Sequence, residues 1–356
     1  MLPSMKLLRW GVLGVGFALA VACGGSSSED KPASGGAAGA SGSGGASGAT
    51  GGTSSGGASG SGSGGAGGRG SGGTAGAGGG ATCNSHAYGP GKLVYVDYEQ
   101  FTPKLNSSCS GTNHQDIQNP EQLVFLGDSI TVGTPPTPGT LVYRTLLTNL
   151  AKAQWPSITV KSCAVNGAKT DDFLAGGNQI SKCFPAAEQK KTLVVITMGG
   201  NDIKGMAQKK LSATPALAEA DKILANMKQA VDWLKSPTNF PNGSWVVFAN
   251  VYEYTDLTAD LGSCPTANLI GLSGKWEVAT AAIVKLREGY MKIAVEAKAD
   301  MIFLGEHFCG HGYKYADTKQ QCYIPNSSNW FDITCIHPNN AGHKEVADLF
   351  WKTIAE

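Results

Sequence analysis

The sequence predicts an α/β domain in which helices cover both faces of a five-stranded parallel sheet. Five short, largely apolar runs have the length and composition of buried strands. Longer segments between them carry apolar residues three or four positions apart, the spacing of an amphipathic helix. Strands that alternate with such helices form parallel βαβ units. The predicted strands are residues 123–126, 158–165, 192–198, 245–251 and 301–304, and the predicted helices are residues 140–154, 215–234, 275–298 and 340–354.

The first strand, residues 123–126, is followed directly by the tripeptide Gly127-Asp128-Ser129. A fully apolar run bounded by glycine is typical of a strand that is covered on both faces. Gly127 permits a sharp turn, so Ser129 is predicted at the carboxyl edge of the sheet, where open α/β sheets bind their ligands. Such a tripeptide also makes ordinary turns, and the functional interpretation therefore depends on the segments that follow.

Residues 1–22 have the pattern of an export signal, with basic residues near the start and an apolar run over residues 11–21. Residues 19–23, Leu-Ala-Val-Ala-Cys, resemble a bacterial lipobox, which predicts that Cys23 becomes the lipidated N-terminus. The alternative is a conventional signal peptide that is cut near Ala22. Neither interpretation leaves a membrane-spanning helix.

A low-complexity segment follows, because residues 24–82 are almost entirely Gly, Ser, Ala and Thr. This composition cannot build a core, and it predicts a flexible tether with a root-mean-square span of about 40 Å. The glycine after Cys23 resembles the pattern of Gram-negative outer-membrane lipoproteins. We therefore expect a lipidated tether over residues 23–82 and one folded domain over residues 83–356, on the periplasmic or cell-surface face of an outer membrane.

The charge balance bears on the partners that the chain can have. The formal net charge is +1, whereas nucleic-acid binding usually requires a basic patch, so we expect no nucleic-acid partner. We expect a monomer that meets the membrane through its lipid anchor only.

Eight cysteines remain besides Cys23, and an even number in an exported chain favours disulfides. Connectivity does not follow from sequence. The hypothesised pairs, chosen by proximity along the chain with the last pair as the remainder, are Cys83–Cys109, Cys163–Cys183, Cys309–Cys322 and Cys264–Cys335.

A zinc site is a second interpretation of part of this set. His307, Cys309, His311 and Cys322 are residue types that bind zinc. In an exported chain a disulfide is the more common use of such cysteines, and we expect no metal site.

Four short polar segments follow predicted strands or precede the last helix. The first three come after parallel strands, whose carboxyl ends meet at one edge of a sheet, so we expect them to lie close together. The segments are Gly127-Asp128-Ser129, Asn166-Gly167-Ala168, Gly199-Gly200-Asn201-Asp202, and residues 332–339, which include Asp332 and His337.

These residue types suit acyl transfer through a serine. Ser129 is the candidate nucleophile and His337 the candidate base, because a hydroxyl needs a base within hydrogen-bond reach. Asp332 is the candidate acid that holds the imidazole in the productive tautomer. The backbone amides of Ser129 and Gly167 and the side-chain amide of Asn201 are candidate donors to the oxyanion.

The set resembles the SGNH (GDSL-type) hydrolase family, whose motifs fall here on Ser129, Gly167, Asn201 and His337, over residues 121–356. The resemblance implies a flavodoxin-like, three-layer α/β/α fold and ester hydrolysis without a metal or other cofactor. The Gly-x-Ser-x-Gly elbow of the α/β-hydrolases is absent around Ser129, which argues against that fold.

The sequence departs from the family pattern at the acid. In the family the acid usually lies three residues before the histidine, where this chain has Thr334, and Asp332 lies five residues before His337. Either the loop bulges so that Asp332 reaches the imidazole, aided by a disulfide at Cys335, or a backbone carbonyl orients the imidazole of a Ser-His dyad. In the first case we expect the Asp332 carboxylate within about 3.2 Å of the imidazole Nδ1 atom.

The sequence therefore predicts an exported, tethered serine esterase that acts on an ester or O-acetyl group of a polysaccharide, lipid or small molecule. The loops over residues 252–274 and 305–331 carry aromatic residues that are candidates for stacking on sugar rings or for covering the core. No strongly apolar, lid-like segment is evident, which disfavours long-chain lipids. The alternative is a non-catalytic, carbohydrate- or ligand-binding lipoprotein on the same fold.

Overall fold

The computed structural model describes residues 96–356. The predicted export signal, Cys23, the tether and Cys83 lie outside the described residues.

A five-stranded, all-parallel sheet forms the centre of the fold, with the strand order β2-β1-β3-β4-β5. This order is that of the flavodoxin-like fold, so the predicted fold class is confirmed. Every residue of β1 and of β3 is buried, as expected for central strands that helices cover on both faces. The strands are β1 (Gln122–Gly127), β2 (Thr159–Ser162), β3 (Thr192–Thr197), β4 (Ser244–Ala249) and β5 (Asp300–Ile302).

Two pairs of long helices form the outer layers. The helices are α1 (Ser129–Val132), α2 (Tyr143–Gln154), α3 (Gln179–Cys183), α4 (Gly200–Gln208), α5 (Ala213–Leu234), α6 (Ala279–Ala297), α7 (Leu304–Phe308) and α8 (Asn340–Ile354). Helix α2 packs against α8, and α5 packs against α6. Aromatic side chains anchor both layers: Tyr143 stacks on Phe350 of α8 at 5.6 Å between ring centroids, and Phe248 of β4 contacts Tyr290 of α6 at 5.9 Å.

The four long helices match the predicted ones, and the differences lie at their ends and in the short helices. The helix predicted over residues 275–298 begins only at Ala279, because Lys275 pairs with Asp260 in an isolated antiparallel bridge. Helices α1 and α4 were not predicted from the sequence, although they begin at two of the predicted polar segments. These helices have only four and nine residues, too few for a clear apolar periodicity.

The segment before β1 covers the exposed edge of the sheet. Gly111 pairs with Ile302 of β5 in an antiparallel bridge, and the amide of Thr112 donates to the Met301 carbonyl at 2.9 Å. A Cβ atom at Gly111 would lie 2.7 Å from that carbonyl oxygen, so this close approach requires glycine. Covering an edge strand in this way removes a surface to which other strands could add.

Three disulfides are present as predicted, namely Cys163–Cys183, Cys264–Cys335 and Cys309–Cys322. Cys109 is disulfide-bonded as well, and the partner hypothesised for it, Cys83, lies outside the described residues. The bond between Cys309 and Cys322 means that neither sulfur is a free thiolate for zinc. Within residues 96–356, no group of three or more His, Cys, Asp or Glu side chains is arranged to hold a metal ion. No helix in that range is long and apolar enough to cross a bilayer.

Candidate active site

Ser129 lies directly beyond the carboxyl end of β1, on a turn that only glycine can begin. Gly127 has a φ of +143°, and a Cβ atom there would lie 2.4 Å from the Thr197 carbonyl oxygen. The Asp128 carboxylate caps α1 by accepting a hydrogen bond from the Ile130 amide at 3.0 Å. Ser129 is therefore the first residue of a short helix, with 8% of its surface exposed.

The Asp128 carboxyl group is buried beneath this turn. Burial raises its pKa to about 7, against the opposing effect of hydrogen bonds from the Ile130 amide and the Thr197 hydroxyl. Asp128 thus shapes the turn that carries the serine. Ionisation of this buried carboxyl group destabilises the folded state, because the charge is removed from water.

His337 approaches Ser129 from the loop that precedes α8. Its Nε2 atom lies 2.8 Å from the Ser129 hydroxyl oxygen, within hydrogen-bond distance. A bridge between Phe331 and Pro338 and a hydrogen bond from the Asp332 amide to the His337 carbonyl at 2.9 Å close this loop. Burial lowers the pKa of His337, while the Asp332 carboxylate acts in the opposite direction. A neutral imidazole is the form that can accept the serine proton.

Thr334 contacts the other imidazole nitrogen, so the expected direct contact with Asp332 is wrong. The His337 Nδ1 atom lies 2.7 Å from the Thr334 hydroxyl oxygen and 3.2 Å from that of Thr134. Within the described residues, the Asp332 carboxylate makes no hydrogen bond to His337. No backbone carbonyl among residues 96–356 contacts Nδ1 either, since both of its partners there are side-chain hydroxyls.

The conformation of the loop explains why Asp332 does not reach the imidazole. The Cys335 amide donates to the Asp332 carbonyl at 3.0 Å, which makes a tight turn instead of a bulge. Cys335 has a φ of +73° and is bonded to Cys264. The side chain of Thr334, three residues before His337, therefore faces the imidazole, and the Asp332 carboxylate lies on the far side of the threonine hydroxyl. The Asp332 Oδ1 atom accepts hydrogen bonds from the amide, at 2.8 Å, and the hydroxyl of Thr334.

Asn201 is the second residue of α4, which starts at the carboxyl end of β3. Its side-chain amide donates to the Ala168 carbonyl at 3.0 Å, so the segment that contains Gly167 is joined to α4. The Asp202 carboxylate accepts hydrogen bonds from the amide and hydroxyl of Thr170 and strengthens this connection. Burial raises the pKa of Asp202 to about 6.

Ser129, Asn201 and His337 line one cavity of about 100 Å³. The structure thus brings these three predicted residues together. Gly167 lies next to Ala168 and has a φ of +79°, with open space where a Cβ atom would be. It is exposed and is not among the residues that line the cavity.

The rest of the cavity is mainly apolar. This apolar lining was not predicted from the sequence. Its walls come from α4, the loop after β4, and the start of α6, with Lys204 as a charged residue at the catalytic side. The apolar residues on these walls include Ile203, Ala207, Leu257, Leu272, Trp276 and Ile283. They are far apart in sequence, and the only signal for them was the length of the loop over residues 252–274.

The aromatic residues of the two loops pack mainly on one another. Tyr252 contacts Phe308 at 5.0 Å and Phe331 at 5.2 Å between ring centroids, and Trp330 stacks on His311. The Tyr252 hydroxyl donates to the Ile336 carbonyl at 2.7 Å, next to His337. These contacts favour the core-covering interpretation of the aromatic residues over sugar stacking.

Comparison with known proteins adds a family and a set of solved structures. The model of the GDSL-like Lipase/Acylhydrolase family matches residues 125–345. No curated protein matches the chain.

Three solved structures illustrate the similarity. A member of the lipolytic protein G-D-S-L family from Veillonella parvula has 12% identity, over 66% of this chain and 98% of that one, with a TM-score of 0.41. An acetylxylan esterase from Geobacillus stearothermophilus, solved as a catalytic mutant, has 19% identity, over 68% and 97%, with a TM-score of 0.42. An extracellular lipase from Streptomyces rimosus has 18% identity, over 64% and 97%, with a TM-score of 0.43.

Proposed function

Because this chain belongs to the GDSL-like lipase/acylhydrolase family and is a hydrolase of ester bonds, we propose that it is a serine esterase with Ser129 as its nucleophile and His337 as its base. One observation carries the proposal: the 2.8 Å distance between the Ser129 hydroxyl oxygen and His337 Nε2 at the wall of a cavity. A nucleophile and a base within hydrogen-bond reach are the minimum that acyl transfer requires.

The reaction proceeds through an acyl-enzyme. The Ser129 oxygen attacks the ester carbonyl carbon, and His337 Nε2 takes the hydroxyl proton. The carbonyl oxygen then carries the negative charge, which the Ser129 amide and the Asn201 side chain stabilise, with the Gly167 amide as a third candidate donor. Collapse of this intermediate expels the alcohol, which receives the proton from His337. Water attacks the acyl-enzyme by the same route, releases the carboxylic acid and restores Ser129.

The cavity supports an acyl group larger than acetyl as the preferred substrate. Each methylene group of the acyl chain that is buried against the apolar walls beside the serine favours binding by about 0.8 kcal/mol. Acetyl esters, including O-acetyl sugars, remain substrates of the same mechanism, but they leave most of this wall without contact. A series of p-nitrophenyl esters from acetate to decanoate tests the preference, with an increase in kcat/KM beyond acetate as the expected result.

The nucleophile is tested by Ser129→Ala together with a fluorophosphonate probe. We expect the wild-type protein to hydrolyse p-nitrophenyl esters and to be labelled at Ser129, and the variant to retain its fold while losing both properties. Ser263→Ala is a matched control, because Ser263 is a serine outside the residues that line the cavity. Hydrolysis by the Ser129→Ala variant at the wild-type rate would refute the assignment. Absence of both hydrolysis and labelling in the wild-type protein would favour the non-catalytic ligand-binding alternative.

The location of the enzyme is a separate part of the proposal. Three sequence features support an exported enzyme that a lipid anchors to an outer membrane: the signal pattern of residues 1–22, the lipobox-like cysteine at Cys23 and the composition of residues 24–82. Labelling with a radioactive fatty acid and cell fractionation test this. We expect the wild-type protein to carry the label and to fractionate with membranes. The Cys23→Ser variant should lack the label and appear in the soluble fraction. Membrane association of that variant equal to the wild type would contradict the anchor.

A further inference from the structure

We propose that Thr334 is a positioning residue through which Asp332 acts on His337, so that the acid reaches the imidazole by way of a hydroxyl group. The inference rests on the proposed function of Ser129 and His337. It assigns a role to the residue that stands where the family pattern has an acid.

The donor and acceptor capacities of the groups determine the direction of each hydrogen bond. The threonine hydroxyl has one proton to donate, and a carboxylate can only accept. Since the hydroxyl oxygen of Thr334 contacts Asp332 Oδ1, that proton goes to the carboxylate. The same oxygen must then accept from the His337 Nδ1 atom, 2.7 Å away. The proton of the neutral imidazole is therefore held on Nδ1.

This arrangement leaves the lone pair of the imidazole on Nε2, facing Ser129. That nitrogen lies 2.8 Å from the serine oxygen and can accept its proton. A direct carboxylate partner would impose the same tautomer. Thr334 thus transmits the orienting effect of Asp332 over one additional hydrogen bond.

The Asp332 carboxylate and the disulfide at Cys335 hold Thr334 in place. Its amide donates to Asp332 Oδ1 at 2.8 Å, so the carboxylate binds both the backbone and the side chain of this one residue. The next residue, Cys335, is bonded to Cys264. The second carboxylate oxygen, Asp332 Oδ2, is buried and has no hydrogen-bond partner within the described residues. Within the described residues, the hydrogen bonds that the Asp332 carboxylate accepts therefore all come from Thr334.

Several other groups act electrostatically on His337 and must stay constant in a test. Lys204 of α4 disfavours the imidazolium, as does burial, whereas the Asp332 carboxylate favours it. His343 of α8 is a near neighbour of His337, and Asp128 lines the same cavity. Variants of Thr334 leave all four residues in place and remove from Asp332 only the hydrogen bond under test, which makes Thr334 the best position for substitution.

The main test is Thr334→Val, with Thr334→Ser as the conservative variant. Valine preserves the shape but has no hydroxyl, so we expect kcat to fall by about 10² with KM within about twofold. The acid limb of the kcat/KM profile should move to lower pH by about half a unit or more, because the imidazolium loses the nearer of the two hydroxyl oxygens, Thr334 and Thr134, that can accept its Nδ1 proton. Thr334→Ser should retain kcat within about threefold.

Thr112→Val is the matched control. The Thr112 hydroxyl also donates to a buried carboxylate, Asp300, at 3.0 Å, but beside β5 and outside the cavity. We expect it to lower the melting temperature and to leave kcat and the acid limb unchanged. If Thr334→Val affects only the melting temperature, as the control does, Thr334 is merely structural and the proposal is wrong.

Two further measurements keep the proposal testable if Thr334→Val folds poorly or if the enzyme has no activity. Asp332→Asn acts from the other end of the link, and its loss of kcat should not increase further when Thr334→Val is added, because the two residues act as a unit. Additive losses would overturn the link. Nitrogen-15 NMR of histidine-labelled protein, assigned with His337→Gln, should show neutral His337 protonated on Nδ1. A mixture of tautomers in the wild-type protein would refute the link, whatever the activity. If the wild-type protein has the Nδ1 tautomer but is inactive and does not react with the fluorophosphonate probe, only the esterase function is refuted.

Discussion

At the scale of single residues, the hydrogen-bonding capacity of Asn201 defines its contribution. A side-chain amide has two protons to donate, and Asn201 uses one on the Ala168 carbonyl. That bond fixes the orientation of the amide, since only one rotation about its terminal bond satisfies it. The second proton has no acceptor among residues 96–356, so it can donate to a substrate oxygen in the cavity that Asn201 lines. This fixed orientation supports the proposed role of Asn201 as a donor to the oxyanion, because the amide is already oriented before charge develops in the transition state.

Asn201→Ala should lower kcat by about 10² or more, with little change in KM. The reason is that the oxyanion forms in the transition state and is not yet present in the bound substrate. Steady-state kinetics with a p-nitrophenyl ester measures both constants. Asn226→Ala is the control: Asn226 donates to Thr170 of the neighbouring loop at 3.4 Å but does not line the cavity. An increase in KM alone for the Asn201 variant would mean that Asn201 binds the ground state.

At the scale of elements, the turn from β1 into α1 combines a steric requirement with an electrostatic one. Gly127 is required because the Thr197 carbonyl lies where a side chain would start. Asp128 is required as the cap of α1, although burial disfavours its ionised form. The turn therefore exposes a serine at the sheet edge at some cost in stability, which is a common property of functional sites.

Asp128→Asn should change the pH dependence of stability in a defined direction. The pKa of Asp128 in the folded state, about 7, lies above the ordinary aspartate value of 3.8, so the folded state binds this proton more tightly than the unfolded state does. The contribution of this bound proton to the free energy of unfolding is fully present below about pH 4 and is lost as the pH rises through 7. Asparagine cannot ionise, so the free energy of unfolding of the variant relative to wild type should rise between pH 5 and pH 8, by up to about 3 kcal/mol.

Urea denaturation at the two pH values measures this difference. Asp317→Asn, at an exposed carboxylate, serves as the control and should show no such change. An unchanged difference between wild type and Asp128→Asn across this range would show that Asp128 is already ionised at pH 5.

At the scale of the whole molecule, one disulfide joins the two loops that surround the cavity. Cys264 lies in the long loop after β4, and Cys335 lies between Thr334 and His337. The hydrogen bond from Tyr252 to the Ile336 carbonyl makes a second connection between the same regions. The cavity wall and the histidine loop therefore form one cross-linked unit.

The double variant Cys264→Ser with Cys335→Ser should lose both stability and activity. The closed loop spans 71 residues, against 20 for Cys163–Cys183. By the loop-entropy relation, removing the longer one costs roughly 1 kcal/mol more. Only the variant that lacks Cys264–Cys335 should have a lower kcat, because, of the two disulfides, only this one is bonded to the Thr334–His337 segment. Chemical denaturation and esterase assays of the two serine double variants make the comparison, and equal kcat values in both would show that the disulfide does not position the histidine.

Much of the architecture could be predicted from local patterns. The apolar runs and helical spacing predicted the parallel sheet and its four long helices, because a buried strand and an amphipathic helix leave periodic signals in sequence. The polar residues after β1 and β3 could be placed at one edge for a topological reason, since parallel strands end together. Three cysteine pairs followed from proximity and remainder, and the structure contains all three.

The sequence by itself determined the fold class and the meeting of Ser129, Asn201 and His337, because both depend on residues that stand at the ends of regular elements. Only the tertiary structure decided what lies behind the imidazole and what lines the cavity. Whether Asp332 or Thr334 contacts Nδ1 depends on a tight, disulfide-linked turn, in which a few dihedral angles decide between two neighbouring side chains. The apolar wall draws on α4, a long loop and α6, and no local periodicity records which side chains of distant segments will face one another.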